Sequence, residues 1–168
     1  MTPIDSAPAA RRGRPGNDRQ DVILAAVSLF NQHGYEATSV GMIADRLGVS
    51  KSAIYHHVSS KEELLAEALD RALSALEAVL DDIDPSPDRD HVAELEQVLR
   101  ATVHVLVDEI EPVTLLLRLR GNTELERAAL ERRRRFDRAV AALVRDADDA
   151  GALRADLEPR AATRLVFG

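Results

Sequence analysis

One short stretch of the sequence places basic, hydroxyl and aromatic side chains at neighbouring positions of a predicted helix. The residues concerned are Lys51, Ser52, Ala53, Tyr55 and His57. Ile54 and Val58 recur at helical spacing and supply the buried face of the same helix. Lysine and serine at a helix start suit the edges of DNA bases, whereas tyrosine and histidine farther along suit a phosphate or a thymine methyl group. The stretch therefore predicts contact with duplex DNA.

A bracing helix must come before this one and hold it in place. Ser39 is suited to cap its start, and Gly48 to end it in the left-handed conformation that glycine adopts freely. Its predicted inner face consists of Val40, Ile43, Ala44 and Leu47. Ser50 then caps the second helix, expected over residues 51–57 and exposing His57. Two short helices joined by such a turn predict a helix-turn-helix, whose second helix enters the major groove.

Further predicted DNA contacts flank the helix pair. Ser39 and Gly41 lie at the start of the bracing helix, and Lys61 begins the next helix, where it suits a phosphate. Residues 1–18 are rich in proline, alanine, glycine and arginine and are expected to be disordered when free. Their basic side chains are Arg11, Arg12 and Arg14. Two interpretations stay open for this segment, a basic arm along the duplex and a solvated tail.

The sequence over residues 19–66 closely resembles the DNA-binding domain of the TetR family of bacterial regulators. The matching motifs are Ile23-Leu-Ala-Ala-Val-Ser-Leu-Phe30, His33-Gly-Tyr-Glu-Ala-Thr38, Leu47-Gly-Val-Ser50 and Tyr55-His-His-Val-Ser-Ser-Lys-Glu-Glu-Leu-Leu65. Some relatives carry a base-reading arginine at the position of Gly41. The resemblance therefore implies that this chain reads fewer bases from its bracing helix, or reads them elsewhere.

Composition excludes several kinds of site. The 168 residues include no cysteine, so disulfides, thiolate metal sites and cysteine nucleophiles are ruled out. His56 and His57 point about 100° apart on a helix and cannot share one metal ion. No nucleophile–base pair or phosphate loop is present, so we expect neither an enzyme nor a bound cofactor. No apolar run can span a bilayer, and we expect a cytoplasmic protein.

The charge of the chain is unevenly distributed. The net charge is −7, yet residues 1–61 carry seven Lys or Arg against five Asp or Glu. The remainder carries fifteen against twenty-four, and both lysines of the chain, Lys51 and Lys61, fall in the basic part. An acidic body would repel DNA and leave binding to one end of the molecule.

The pattern after residue 60 predicts an all-α body. We expect helices over residues 61–81, 91–111, 112–120 and 123–150, and a last one from Pro159. Ser60–Glu63 and Thr123–Glu126 fit capping boxes. Residues 99–107 are apolar on nearly every side, which favours a central position in a bundle. The full organisation is an arm (1–18), a DNA-binding domain (19–66) and a ligand-binding and dimerisation domain (67–168).

The predicted ligand contacts lie in that body. They are His104, Val107, Leu116, Arg120, Asn122 and Phe136. We favour a buried core histidine over a ligand contact for His104. The four arginines at 132–135 spread around their helix, and we expect them to pair with Glu126, Glu131 and Asp137, although one or two can hold an anion.

The family resemblance implies a ligand-responsive repressor that binds a near-palindromic operator as a homodimer and is released by a small-molecule effector. The body resembles regulators of fatty-acid, steroid or aromatic-acid catabolism, several of which respond to acyl-CoA thioesters. The alternative is a DNA-binding protein without a small-molecule switch, whose body serves only dimerisation or partner binding. Family members usually continue with a further helix, so we expect this chain to lack its natural C-terminus.

Overall fold

The computed structural model describes residues 18–81, 83, 86 and 90–151. In these residues the chain forms seven helices, which confirms the all-α fold. They are α1 (Arg19–His33), α2 (Val40–Leu47), α3 (Lys51–Tyr55), α4 (Lys61–Ala78), α5 (His91–Asp108), α6 (Ile110–Leu117) and α7 (Glu124–Asp149). The predicted arm, the segment after residue 151 and the helix expected from Pro159 lie outside the described residues.

The first three helices form a compact unit, here called the reading unit. Ile43 of α2 and Ile54 of α3 are fully buried against the apolar side of α1, which includes Phe30. The turn between α2 and α3 forms as the sequence predicts, because Gly48 adopts the left-handed conformation with φ of 67°. The helix pair is therefore held at a fixed angle by its own small core.

The helix α4 connects the reading unit to the helices that follow, here called the body (α5–α7). Its buried residues occupy most of its length and pack against α1, α5, α6 and α7: Leu64, Leu65, Ala68, Leu69, Ala72, Leu73 and Leu76. Burying each of these leucines stabilises the fold by about 2 kcal/mol relative to leaving it in water. Because α4 packs against both parts, a displacement of the body would reach the reading unit through α4.

The boundary between α5 and α6 differs from the prediction. The expected fifth helix ran to Glu111 with a new helix opening at Pro112, whereas the break occurs at Glu109, with φ of −114° and ψ of 34°. Pro112 is buried within the first turn of α6. Proline is tolerated there because the first backbone N–H groups of a helix have no intrahelical partner. The prediction of a new helix at Pro112 was therefore correct, but the helix begins two residues earlier, at Ile110.

The prediction that residues 99–107 lie at the centre of the bundle was wrong. Val103 is 56% exposed and Val107 is 66% exposed, and His104 is exposed between them. The side of α5 that packs on α4 and α7 is the one that carries Leu95, Val98 and Thr102. His104 is therefore not a core histidine.

Within the described ranges, no helix is both long and apolar enough to cross a membrane.

The capping boxes predicted at the starts of α4 and α7 form only in part. Ser60 and Thr123 accept the expected backbone N–H groups, of Glu63 and Glu126 respectively. Each glutamate, however, reaches past the cap residue, and Glu63 accepts from the backbone N–H of Ser59 at 2.7 Å. The capping box that does close is at α1, between Asp18 and Asp21.

Candidate nucleic-acid interface

The residues predicted to contact DNA that the structure describes lie on or beside α2 and α3, and at the start of α4. Lys51, Ser52 and Tyr55 are exposed on α3, and Tyr55 keeps 54% of its surface in solvent. Ala53 is half-buried beside them. Ser50 caps α3 by accepting the backbone N–H of Ala53 at 3.2 Å. The exposed side chains therefore sit on a short helix whose start is fixed.

His57 is less accessible than predicted. Because α3 ends at Tyr55, His57 follows in a turn and is half-buried near the start of α1, where Arg19 lies. Its backbone carbonyl accepts a hydrogen bond from Arg19 Nε at 3.0 Å. His57 consequently helps to anchor the end of α3, and its contact with DNA stays a prediction.

Gly41 lies directly beneath the side chain of Lys51. A Cβ atom at position 41 would come within 2.7 Å of Lys51 Cε and 3.2 Å of its Nζ. The lysine stem therefore crosses the bare backbone of the first turn of α2. Ser39, next to it, is exposed and caps α2 by accepting the backbone N–H of Met42 at 3.2 Å. A side chain at position 41 would require the flexible end of Lys51 to move.

Lys61 is engaged within the protein at the base of the reading unit. Its Nζ donates to the backbone carbonyl of Tyr35 at 2.8 Å and lies 4.1 Å from the centroid of the Tyr35 ring. That ring packs edge-on against Phe30, with 5.3 Å between centroids. An ammonium has three donors, so Lys61 keeps two for a phosphate after this bond. Burial, followed by the charge of Glu62, raises the pKa of Tyr35, which stays protonated.

Arg19 is a functional candidate that sequence reasoning missed. Its guanidinium joins the reading unit to α4, since it donates to the carbonyl of His57 and pairs with Glu63 at 2.6 Å and with Glu67. Hydrogen bonds from Ser59, ahead of that from Arg19, hold the pKa of Glu63 below its ordinary value. Glu63 and Glu67 lie four residues apart and gave a sequence signal for an ion pair on one side of the helix. Their partner, Arg19, lies 44 residues before Glu63 in the sequence. Arg19 thus ties the end of α3 to α1 and α4.

The three predicted arm residues, Arg11, Arg12 and Arg14, lie outside the described residues. Their role as a DNA-binding arm stays a prediction.

The predicted ligand contacts do not converge on one site. Leu116 and Phe136 are buried, whereas His104 and Val107 are exposed on α5. Arg120 and Asn122 lie elsewhere, on the wall of a groove between the reading unit and the body. This groove has a volume of about 690 Å³. One wall contains residues 30, 31 and 33–37, and the other contains Leu115, residues 118–120, Asn122 and Glu126.

Two hydrogen bonds beside the groove connect the reading unit to both ends of α6. The side chain of Asn31 donates to the carbonyl of Glu111 at 3.0 Å. The backbone carbonyl of Asn31 accepts from Arg118 Nη1 at 2.6 Å. We call these two bonds the Asn31 clasp. One residue at the end of α1 therefore holds the start and the end of α6.

The four consecutive arginines are only partly the solvated face that was expected. Arg133 and Arg134 pair along their own helix, with Asp137 and Glu131. Arg132 instead crosses to α4 and binds Glu77 at 2.6 Å and Asp70 at 2.7 Å. The bond from Arg132 lowers the pKa of Glu77. Arg132 is thus a bridge between the body and the connecting helix.

Glu126 does not pair with these arginines, contrary to the prediction. It is only 5% exposed, and its Oε2 accepts three backbone N–H groups, from Arg120 at 3.3 Å, Gly121 at 2.9 Å and Asn122 at 3.0 Å. Gly121 has φ of 79°, which bends the chain around the carboxylate. The anion therefore fixes the connection between α6 and α7 beside the groove.

Comparisons with known proteins agree with this architecture. The family model described as bacterial regulatory proteins, tetR family, matches residues 22–68. A crystal structure of a TetR transcriptional regulator family member from Streptomyces coelicolor A3 is 51% identical, with a TM-score of 0.78, and the match covers 88% of this chain and 73% of that one. The crystal structure of AibR in complex with isovaleryl coenzyme A and operator DNA has a TM-score of 0.68 at 20% identity, over 89% of this chain and 82% of that one.

A curated relative is the HTH-type transcriptional activator FasR of Mycolicibacterium smegmatis, 37% identical over 105 residues. The match covers 60% of this chain and 45% of FasR, so the chain spans less than half the length of that relative. These relatives are regulators of transcription rather than enzymes, as the sequence led us to expect. At 51% identity to a regulator of which it covers 73%, the chain belongs to the TetR family of transcriptional regulators.

Proposed function

We propose that this protein is a ligand-responsive repressor that binds a near-palindromic DNA operator as a homodimer. The observation that carries the proposal is the exposed face of α3, where Lys51, Ser52 and Tyr55 share a capped helix braced by α2. In such dimers two recognition helices occupy major grooves about 34 Å apart. Base contacts come from the start of α3, and the orientation of that helix is maintained by Arg19 at its other end.

Selection of bound sequences from random duplex DNA tests the DNA-binding part of this proposal. We expect enrichment of an inverted repeat, and loss of that enrichment in a variant carrying Lys51→Ala and Tyr55→Ala. A matched control is Arg100→Gln, on an exposed part of α5 remote from the reading unit. Binding that is salt-sensitive but independent of sequence would contradict the proposal, because it would leave α3 without a base-reading role.

The direction of regulation is proposed from the sequence resemblance, and the relative FasR is named an activator. A reporter gene placed behind the selected operator distinguishes the two. Repression predicts higher expression when the protein is absent, and activation predicts lower expression.

The effector is proposed to be an organic anion with an apolar part, with acyl-CoA thioesters as the first class to test. Support comes from the fold shared with AibR, whose crystal contains isovaleryl coenzyme A. The test compares thermal unfolding with octanoyl-CoA or isovaleryl-CoA against the corresponding free acids. A rise in unfolding temperature with a thioester is expected, and the absence of a shift with any thioester would remove this class.

The second candidate is a DNA-binding protein whose body serves only dimerisation or partner binding. A filled core around residues 99–120 would favour it and an open cavity there would count against it, and the groove lined by Leu115, Leu119 and Arg120 lies at the edge of that region, between the body and the reading unit. If no small molecule from a broad panel changes operator affinity, this second function replaces the first.

A further inference from the structure

The groove between the reading unit and the body has the chemical character of a binding site for a small molecule. Its volume of about 690 Å³ falls within the ordinary range for ligand pockets. Its apolar lining comes from both sides, with Phe30 and Tyr35 from the reading unit and Leu115 and Leu119 from the body. A molecule placed here would touch both parts of the protein at once.

Cationic side chains border the apolar lining on the side of the body. Arg118 and Arg120 both line the groove and are exposed. Among the described residues Arg120 makes no side-chain hydrogen bond or ion pair, and Arg118 makes one bond, to the carbonyl of Asn31. Two guanidinium groups two residues apart can bind a carboxylate or a phosphate with several N–H donors.

Two carboxylates, Glu36 and Glu126, also line the groove. Their positions reduce the repulsion that they would exert on an anionic ligand beside the arginines. Glu126 accepts three backbone N–H groups, so its Oε2 is directed into the chain between α6 and α7. Glu36 is exposed on the wall formed by the reading unit, opposite the arginines. The arrangement favours a ligand whose anionic end lies against Arg118 and Arg120 and whose apolar part lies on Phe30 and Tyr35.

We propose that this groove binds an amphipathic organic anion, with its head group on Arg118 and Arg120. A guanidinium has five N–H donors, so a head group bound by Arg118 adds to the bond that its Nη1 donates to the carbonyl of Asn31 at 2.6 Å. A ligand in the groove therefore contacts a residue of the Asn31 clasp between α1 and α6. If the bound ligand holds the reading unit in a position that operator DNA disfavours, each lowers the affinity for the other by the same factor.

The binding part of this inference is independent of the proposed function, and only its consequence for DNA rests on that function. The test therefore begins without DNA. The fluorescent dye 8-anilinonaphthalene-1-sulfonate, an apolar ring system with a sulfonate, is titrated into the protein. Octanoate and octyl phosphate then compete with the dye, which distinguishes a carboxylate from a phosphate head group. The uncharged 1-octanol serves as the matched ligand without a head-group charge.

The variants separate charge from shape. Arg118→Gln with Arg120→Gln removes the proposed head-group contacts. Ala37→Trp fills the groove from the opposite wall while leaving both arginines in place. The control, Arg100→Gln with Arg145→Gln, removes the same number of charges from exposed positions outside the groove. Circular dichroism and thermal unfolding confirm that each variant is folded.

We expect the paired groove variant to weaken dye binding by about tenfold or more, because two charge-assisted contacts are lost. Ala37→Trp should weaken it similarly, the control pair should not, and 1-octanol should compete more weakly than either anion. Dye binding that is unchanged in both groove variants would overturn the inference, since the dye would then occupy another surface. Loss of operator selection with groove binding intact would contradict only the proposed function.

Discussion

At the scale of single residues, Gly41 and Lys51 act as a pair. The lysine stem lies where a side chain at position 41 would be, with 2.7 Å between Lys51 Cε and the position of a Cβ. A position that carries an arginine in some members of the family is glycine here, and the basic Lys51 of the next helix occupies the space. We therefore predict that base reading depends on the two positions jointly.

Gly41→Ala tests this dependence. Alanine should raise the stability of α2 by about 0.5–1 kcal/mol, because glycine is the poorer helix former. It should nevertheless weaken operator binding by about threefold, since a displaced Lys51 loses part of a contact worth about 1–3 kcal/mol. In a Lys51→Ala background the same change should leave operator affinity unaffected. Fluorescence anisotropy with the selected operator measures all four proteins, and additive effects would show that the two positions are independent.

Glu126 is the residue whose loss should most affect the connection between α6 and α7. Glu126→Gln removes a buried charge that three backbone N–H groups stabilise, and should cost about 1–3 kcal/mol of the free energy of unfolding. The matched control is Glu124→Gln, which changes an exposed carboxylate in the same first turn. It should lower the free energy of unfolding by only about 0.3 kcal/mol. Urea unfolding measures both, and equal losses would mean that Glu126 acts only through the helix dipole.

The sequence predicts the residues that act locally better than those that act at a distance. The caps Ser39, Ser50 and Ser60 were identified because a cap bonds a backbone group three residues away. The partners of Arg19 and Glu126 were missed or misassigned, because their bonds depend on how separate segments meet in space. The closeness of Gly41 to Lys51 likewise appears only after α2 and α3 are packed.

At the scale of helices, Arg132 joins α7 to the connecting helix α4. Its guanidinium binds Glu77 and Asp70, and the bond to Glu77 lowers the pKa of that carboxyl below its ordinary value. Because the pKa of Glu77 is lower in the folded than in the unfolded protein, its pair with Arg132 contributes its full stabilisation above the unfolded pKa of the carboxyl. It is lost as the pH falls through the lowered folded value.

Arg132→Gln should therefore reduce the free energy of unfolding at neutral pH by about 1 kcal/mol, a value kept small because Glu77 is partly in solvent. The difference from the unmodified protein should shrink as the pH falls through the folded pKa of Glu77, because protonated Glu77 no longer pairs. Arg134→Gln, whose partner lies on the same helix, should have a smaller effect. Thermal unfolding between neutral and acidic pH measures this, and a difference independent of pH would argue against the pair.

Helix positions were largely predictable, whereas exposure was not. The helices expected over residues 61–81 and 123–150 form as α4 (Lys61–Ala78) and α7 (Glu124–Asp149). The apolar run in α5 gave no indication of which side would be covered, because only the packing of α4 and α7 decides it. His104 was consequently assigned to the core, although it lies in solvent.

At the scale of the whole molecule, the charge distribution confines DNA binding to one end. Residues 1–61 hold both lysines and a small positive excess, whereas the rest of the chain is strongly acidic. An acidic body opposes any approach to DNA except through the reading unit. The predicted arm carries three of the seven basic residues of that end.

Replacing Arg11, Arg12 and Arg14 with glutamine tests the arm without shortening the chain. If all three contact phosphates, operator affinity should fall and the slope of its logarithm against that of salt concentration should decrease by about 3. The control is a variant with glutamine at Arg100, far from the reading unit. An unchanged affinity and slope would assign the segment to a solvated tail.

The Asn31 clasp has a consequence for protein engineering. Chimeric regulators are made by joining the DNA-reading part of one protein to the sensing part of another. Here the seam would separate Asn31 from Glu111 and Arg118, the residues to which it is hydrogen-bonded. A graft that brings a foreign α1 without an equivalent of Asn31 would bind its operator yet respond weakly to its inducer. Transplanting Asn31 and Arg118 together should restore the response, because Glu111 contributes only its backbone carbonyl.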